Sequence, residues 1–122
     1  REDFDAALVG EIKKYDIDLV VLAGFMRILT PVFTDQIRAI NLHPSLLPLF
    51  KGAHAIKESF DSDMQVGGAS VHWVSAELDG GRIIAQRAFE REEAMSEAAW
   101  EAKIHAIEHE ILPQTIVKIL CS

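Results

Sequence analysis

Apolar residues recur along this chain in two rhythms. Across residues 3–15, Phe4, Leu8, Ile12 and Tyr15 stand at helical spacing with charged residues between them, which predicts an amphipathic helix. Residues 18–24 then run almost unbroken through apolar side chains, the pattern of a parallel strand buried on both faces. A helix followed by a buried strand is half of a βαβ unit. Thr30-Pro31 reads as an N-cap with proline at the first helical position and opens a short helix to about Arg38. Residues 39–42 form a second short strand, and residues 52–60 a helix that Asp61-Ser62-Asp63 ends. Residues 69–74 are rich in β-branched and aromatic side chains and predict a strand preceded by Gly67-Gly68. Gly80-Gly81 makes a turn, and residues 82–89 return as the partner strand. Ser96 caps a long helix with Trp100, Ile104, Ile107, Ile111 and Leu112 on one side, which Pro113 is expected to kink or interrupt.

The alternation of helices and strands predicts an α/β fold. With 122 residues, 49% of them hydrophobic, the chain is one domain, or part of one, with enough apolar surface for a core. Twelve basic and 19 acidic side chains give a net charge of -7, which argues against nucleic acid or an anionic membrane as partner. A small anionic ligand held by a local site remains compatible with that charge. The single cysteine, Cys121, makes no intrachain disulfide, and a reducing, cytoplasmic setting fits. No apolar run reaches membrane-spanning length, and the chain does not open on a signal-peptide pattern. It begins Arg1-Glu2-Asp3, already inside the first helix, so an upstream portion is expected to be missing.

The chemistry concentrates in Asn41-Leu42-His43-Pro44-Ser45-Leu46-Leu47-Pro48 and Leu78-Asp79-Gly80-Gly81. These supply what acyl transfer needs: an amide to hold a developing oxyanion, an imidazole to move protons, and a carboxylate to orient that imidazole. The prolines bias the first segment away from helix, so it reads as a strand end entering a rigid loop. In an extended segment positions two apart point the same way, so Asn41 and His43 share one small volume. Taken singly, His43 would be an ordinary hydrogen-bonded histidine, and Asp79 before Gly-Gly ordinary turn chemistry.

Together with Leu22-Ala23-Gly24-Phe25-Met26-Arg27-Ile28-Leu29 and Ser70-Val71-His72, these segments resemble the glycinamide ribonucleotide transformylase family, the folate-dependent formyltransferases of purine synthesis. The similarity runs from the first helix to the last. It implies a Rossmann-like formyltransferase fold with a mostly parallel sheet flanked by helices. Residues 1–122 would be its C-terminal, folate-binding and catalytic portion, lacking an N-terminal βαβ portion that carries the phosphate loop. The resemblance makes Asn41, His43 and Asp79 the catalytic trio. It assigns Met26, Arg27, Ile28, Leu29, Asn41, Ser75, Ala76, Glu77, Leu78 and Asp79 to 10-formyltetrahydrofolate, and Pro44 and Glu108 to the ribonucleotide. Small-molecule substrates, no metal and no covalent enzyme intermediate are implied, and self-association is left open. Three positions depart from the pattern: Arg82 and Lys51 stand where proline is common, and His105 where some members have glutamine.

Four other readings compete. His105-Ala106-Ile107-Glu108-His109 spells a zinc-binding H-x-x-E-H, but no third ligand accompanies it. Formyltetrahydrofolate deformylase tends to have a second histidine at Pro44 and a glutamate at Gly80. Methionyl-tRNA formyltransferase tends to have glycine at Pro44 and needs a basic RNA-binding extension. A folded but inactive folate-binding piece is the reading from outside enzymology.

Overall fold

The computed structural model describes residues 2–15, 17–23 and 30–121. Its elements, in chain order, are α1 (Glu2–Ile12), β1 (Val20–Ala23), α2 (Pro31–Thr34), β2 (Ala39–His43), α3 (Ala55–Asp61), β3 (Val66–Trp73), β4 (Ile83–Glu90) and α4 (Glu97–Leu120). The strands form one sheet in the order β1-β2-β3-β4. Only β1 and β2 run parallel, while β2–β3 and β3–β4 are antiparallel. The α/β expectation holds, but the sheet of the described residues is mixed rather than mostly parallel. The connection from β3 to β4 is too short for a crossover helix, so β4 can only return antiparallel.

The sheet has a different core on each face. Ile40, Leu42, Ala69 and Val71 pack against Ile107 and Ile111 of α4. On the other side of β2, Ala39 packs with Val9 of α1 and Phe33 of α2. Every residue of β2 is buried, because it lies inside the sheet between these two cores. β1, expected to be buried on both faces, is an edge strand among the described residues, and Val21 is 39% exposed.

Helix α1 turns only part of its predicted apolar stripe inward, with Leu8 and Ile12 half-buried against the core. Its buried residues are Asp5 and Val9, whereas Phe4 and Tyr15 are 45% and 68% exposed. The Asp5 carboxylate accepts hydrogen bonds from Thr30 N at 2.5 Å and Thr30 Oγ1 at 2.7 Å, and this polar link sets the helix's rotation. The Thr30 hydroxyl is therefore spent on α1 and makes no side-chain cap on α2, which lasts one turn rather than reaching Arg38.

Two further expectations change. Gly67 and Gly68 lie inside β3 rather than before it. A Cβ on Gly67 would sit 2.5 Å from the Trp100 ring, and one on Gly68 would collide with the Arg87 carbonyl, so close approach rather than a turn requires glycine at both. Trp100 is fully buried; it meets Phe89 edge-on at 4.9 Å and donates from Nε1 to Ser59 Oγ at 3.0 Å. Helix α4 starts as expected, with Ser96 accepting from Ala99 N, but runs unbroken past Pro113 to Leu120. Buried Ile111 and Thr115 anchor it on either side of the exposed proline.

Candidate functional site

The trio comes together where β2 ends. In the antiparallel register Asn41 lies opposite His72 and His43 opposite Ser70, so these four polar side chains occupy neighbouring positions on one face of the sheet. Ile40, Leu42 and Val71 take the other face, in the core under α4. Asn41, His43 and Asp79 are all buried, at 4%, 1% and 5% exposure.

Asp79 reaches the site from the loop between β3 and β4. It adopts a left-handed backbone conformation, φ 51°, uncommon for a residue with a side chain. Its Oδ2 lies 3.5 Å from His43 Nδ1 and accepts a hydrogen bond from Gly52 N at 2.9 Å. Its Oδ1 lies 3.6 Å from Nε2 of a second histidine, His72. Neither His72 Nε2 nor Asp79 Oδ1 has a hydrogen-bond partner among the described residues.

Both imidazoles are held from behind by main-chain carbonyls. His43 Nε2 is 2.8 Å from the Phe50 carbonyl, and His72 Nδ1 is 2.9 Å from that of Trp73. A carbonyl only accepts, so the proton of each ring lies on that nitrogen. The other nitrogen of each ring faces Asp79. One buried carboxylate thus stands between two imidazoles, side chains whose chemistry allows them to move protons.

The loop after Trp73 is built from its own polar groups. Ser75 Oγ accepts from Glu77 N at 3.2 Å, Gly80 N donates to the Glu77 carbonyl at 3.1 Å, and Lys51 Nζ lies 3.7 Å from Glu77. Ala76 and Glu77 are exposed, and Ser75 and Leu78 half-buried. Gly81 passes so close to Trp73 that a Cβ would collide with its carbonyl oxygen. Met26, Arg27, Ile28 and Leu29 lie outside the described residues.

Pro44 and Glu108, assigned together from sequence, line one cavity of about 550 Å³ with Ala23, Leu42, His105 and His109. Glu108 accepts from His105 Nδ1 at 2.7 Å, and His105 Nε2 is 3.7 Å from Glu101. Leu42 points into this cavity from the α4 side of β2, whereas Asn41 and His43 point to the opposite side. The two parts of the site therefore adjoin at Pro44, the first residue beyond the strand. Among the described residues, no group of three or more His, Cys, Asp or Glu is arranged to hold a metal ion. None of the helices there is long and apolar enough to cross a membrane.

Sequence reasoning missed His72, the Gly52 N–H and the Phe50 carbonyl. Ser70-Val71-His72 was visible as a motif, but only the strand register shows His72 beside Asn41.

A family model described as Formyl transferase matches residues 1–116. The chain belongs to the formyl transferase family. It is 42% identical over 118 residues to the phosphoribosylglycinamide formyltransferase of Escherichia coli (strain K12), a match spanning 95% of this chain and 56% of that protein. A match at 36% identity to the human trifunctional purine biosynthetic protein adenosine-3 spans 95% of this chain and 12% of that protein. The crystal structure of phosphoribosylglycinamide formyltransferase from Campylobacter jejuni subsp. jejuni superposes with a TM-score of 0.92 at 66% identity, covering 98% of this chain and 64% of that one. This formyl transferase chain thus spans less than two thirds of the bacterial relatives it matches, at 56% of the Escherichia coli protein and 64% of the Campylobacter jejuni chain.

Proposed function

We propose that this chain carries the formyl-transfer centre of a phosphoribosylglycinamide formyltransferase. The reaction moves the formyl group of 10-formyltetrahydrofolate to the amine of glycinamide ribonucleotide, a step of purine synthesis in the cytoplasm. The observation that carries the reading is the burial of Asn41, His43 and Asp79 at one strand end, with His43 and Asp79 3.5 Å apart.

The amine nitrogen attacks the formyl carbon, and the carbonyl oxygen becomes an oxyanion. The Asn41 amide is placed to donate a hydrogen bond to it, and His43 to carry the proton that leaves the amine and reaches the departing folate nitrogen. Asp79 orients the imidazole and balances the charge it gains. Breakage of the bond between the formyl carbon and that nitrogen completes the transfer, leaving tetrahydrofolate and the formylated amine. Ser45 is not the nucleophile, because its hydroxyl donates to the Leu49 carbonyl at 2.6 Å rather than to a base.

For the substrates, we assign the loop of Ser75, Ala76, Glu77, Leu78 and Asp79, with Met26, Arg27, Ile28 and Leu29, to the pterin. The cavity of Pro44 and Glu108 takes the ribonucleotide. A carboxylate half-buried in a mostly apolar wall suits sugar hydroxyls as hydrogen-bond donors.

The test is a transfer assay that follows tetrahydrofolate release with and without the amine substrate. Amine-dependent release that Asn41→Ala suppresses is expected. Formate release without the amine would replace transfer by hydrolysis, and no turnover with either acceptor would leave a binding piece.

A further inference from the structure

Phe50 holds the imidazole of His43, and something must hold Phe50. Its carbonyl accepts from His43 Nε2 at 2.8 Å, yet its backbone has φ 56°, in the left-handed region that side-chain-bearing residues rarely adopt. A carbonyl set by an unfavourable backbone angle keeps its direction only if the surrounding loop is tied down.

The tie is Ser45. This residue is 1% exposed, and its Oγ lies 2.6 Å from the Leu49 carbonyl and 3.3 Å from the Phe50 carbonyl. A hydroxyl has one hydrogen, and the shorter distance places it on Leu49, adjoining the strained residue. Ser45 is itself fixed: its carbonyl accepts from Ser70 Oγ at 2.7 Å, and Ser70 Oγ accepts from Leu47 N and Gln86 Nε2, both at 3.0 Å. Gln86 also donates to the Leu47 carbonyl at 2.7 Å. A polar chain therefore runs from β4 through Ser70 on β3 to Ser45, and from there to the carbonyl behind His43.

We propose that Ser45 is a positioning residue for His43, acting through the Leu49–Phe50 segment and never touching substrate. The proposal deepens the reading of His43 as the proton carrier and rests on it for its catalytic consequence. The clamp itself is tested without catalysis.

The experiment is nitrogen-15 NMR of the histidine rings in the unaltered chain, Ser45→Ala and Ser45→Cys. The cysteine variant keeps the shape of the site and weakens the donor, so it serves even if the alanine variant does not fold. In the unaltered chain the His43 Nε2 proton should be protected from solvent exchange. In both variants it should exchange about tenfold faster, as loss of a hydrogen bond worth roughly 1.4 kcal/mol implies. The rings of His105 and His109 on α4 should keep their signals. An unchanged His43 in a folded variant would overturn the clamp, as would equal changes in all the histidines. A shifted His43 with an unchanged rate of formyl transfer would overturn the catalytic reading of His43 and leave the clamp standing.

Discussion

Asp79 is shared by two imidazoles and an amide, and this makes its replacement more consequential than a single lost ion pair. Its buried carboxylate faces His43 and His72 and accepts from Gly52 N. Asp79→Asn should keep an acceptor for Gly52 while removing the charge. We expect a folded protein with kcat for formyl transfer lowered by about two orders of magnitude or more, the scale of electrostatic terms in such centres. Near-normal turnover would count against the proton-handling role. Asn41→Ala should lower kcat by about 10²–10³, with KM for the folate changing less, if the amide serves the oxyanion. Steady-state kinetics with folate varied separates the two parameters. Asn41, His43 and Asp79 were legible in the sequence because their side-chain types name their chemistry. His72 was not, since it stands in a strand between Val71 and Trp73 and only the register opposite Asn41 gives it a neighbour. The Phe50 carbonyl and Gly52 N–H were invisible for a simpler reason: every residue but proline carries the same main-chain groups.

Among the elements, apolar periodicity located the strands and α4 well, because tertiary packing there follows the pattern. It was half right for α1, where Leu8 and Ile12 face the core but Phe4 and Tyr15 do not, and Asp5 is turned inward to Thr30. Asp5→Ala should therefore destabilise the fold by roughly 1–3 kcal/mol, the scale for leaving buried hydrogen-bonding groups unpaired. Chemical denaturation would show this as a lower midpoint at unchanged slope, and an unchanged midpoint would mean that α1 docks by its apolar contacts alone. Glycine punctuation misled at β3, because Gly67 is selected by the bulk of Trp100 rather than by a turn. Gly67→Ala forces a methyl into space the indole occupies. It should destabilise by about 1–3 kcal/mol, read as a lower thermal midpoint with Trp100 fluorescence changed in the folded state.

At the scale of the whole molecule, the proposed site draws on β2, β3 and the loops that follow each, so it exists only once those two strands have paired. Its sequence segments were recognisable separately, whereas their meeting depends on the antiparallel register. The placement of β2 between two hydrophobic cores has a further effect on motion. One core joins β2 to β3 and α4, and the other joins it to α1, α2 and the short edge strand β1. The α1–β1 side, with only Val9 and Asp5 buried on its helix, can open without disturbing Ile107, Ile111 or Trp100 on the far side. Native-state hydrogen exchange should therefore resolve two opening events. The amides of α1 and β1, with those of Ile40 and Leu42 that face β1, should exchange through the smaller one, while those of Asn41, Val71 and His72 should wait for global unfolding. The β2–β3 pairing that sets Asn41 beside His72 would then persist while the α1 covering of that same face breathes.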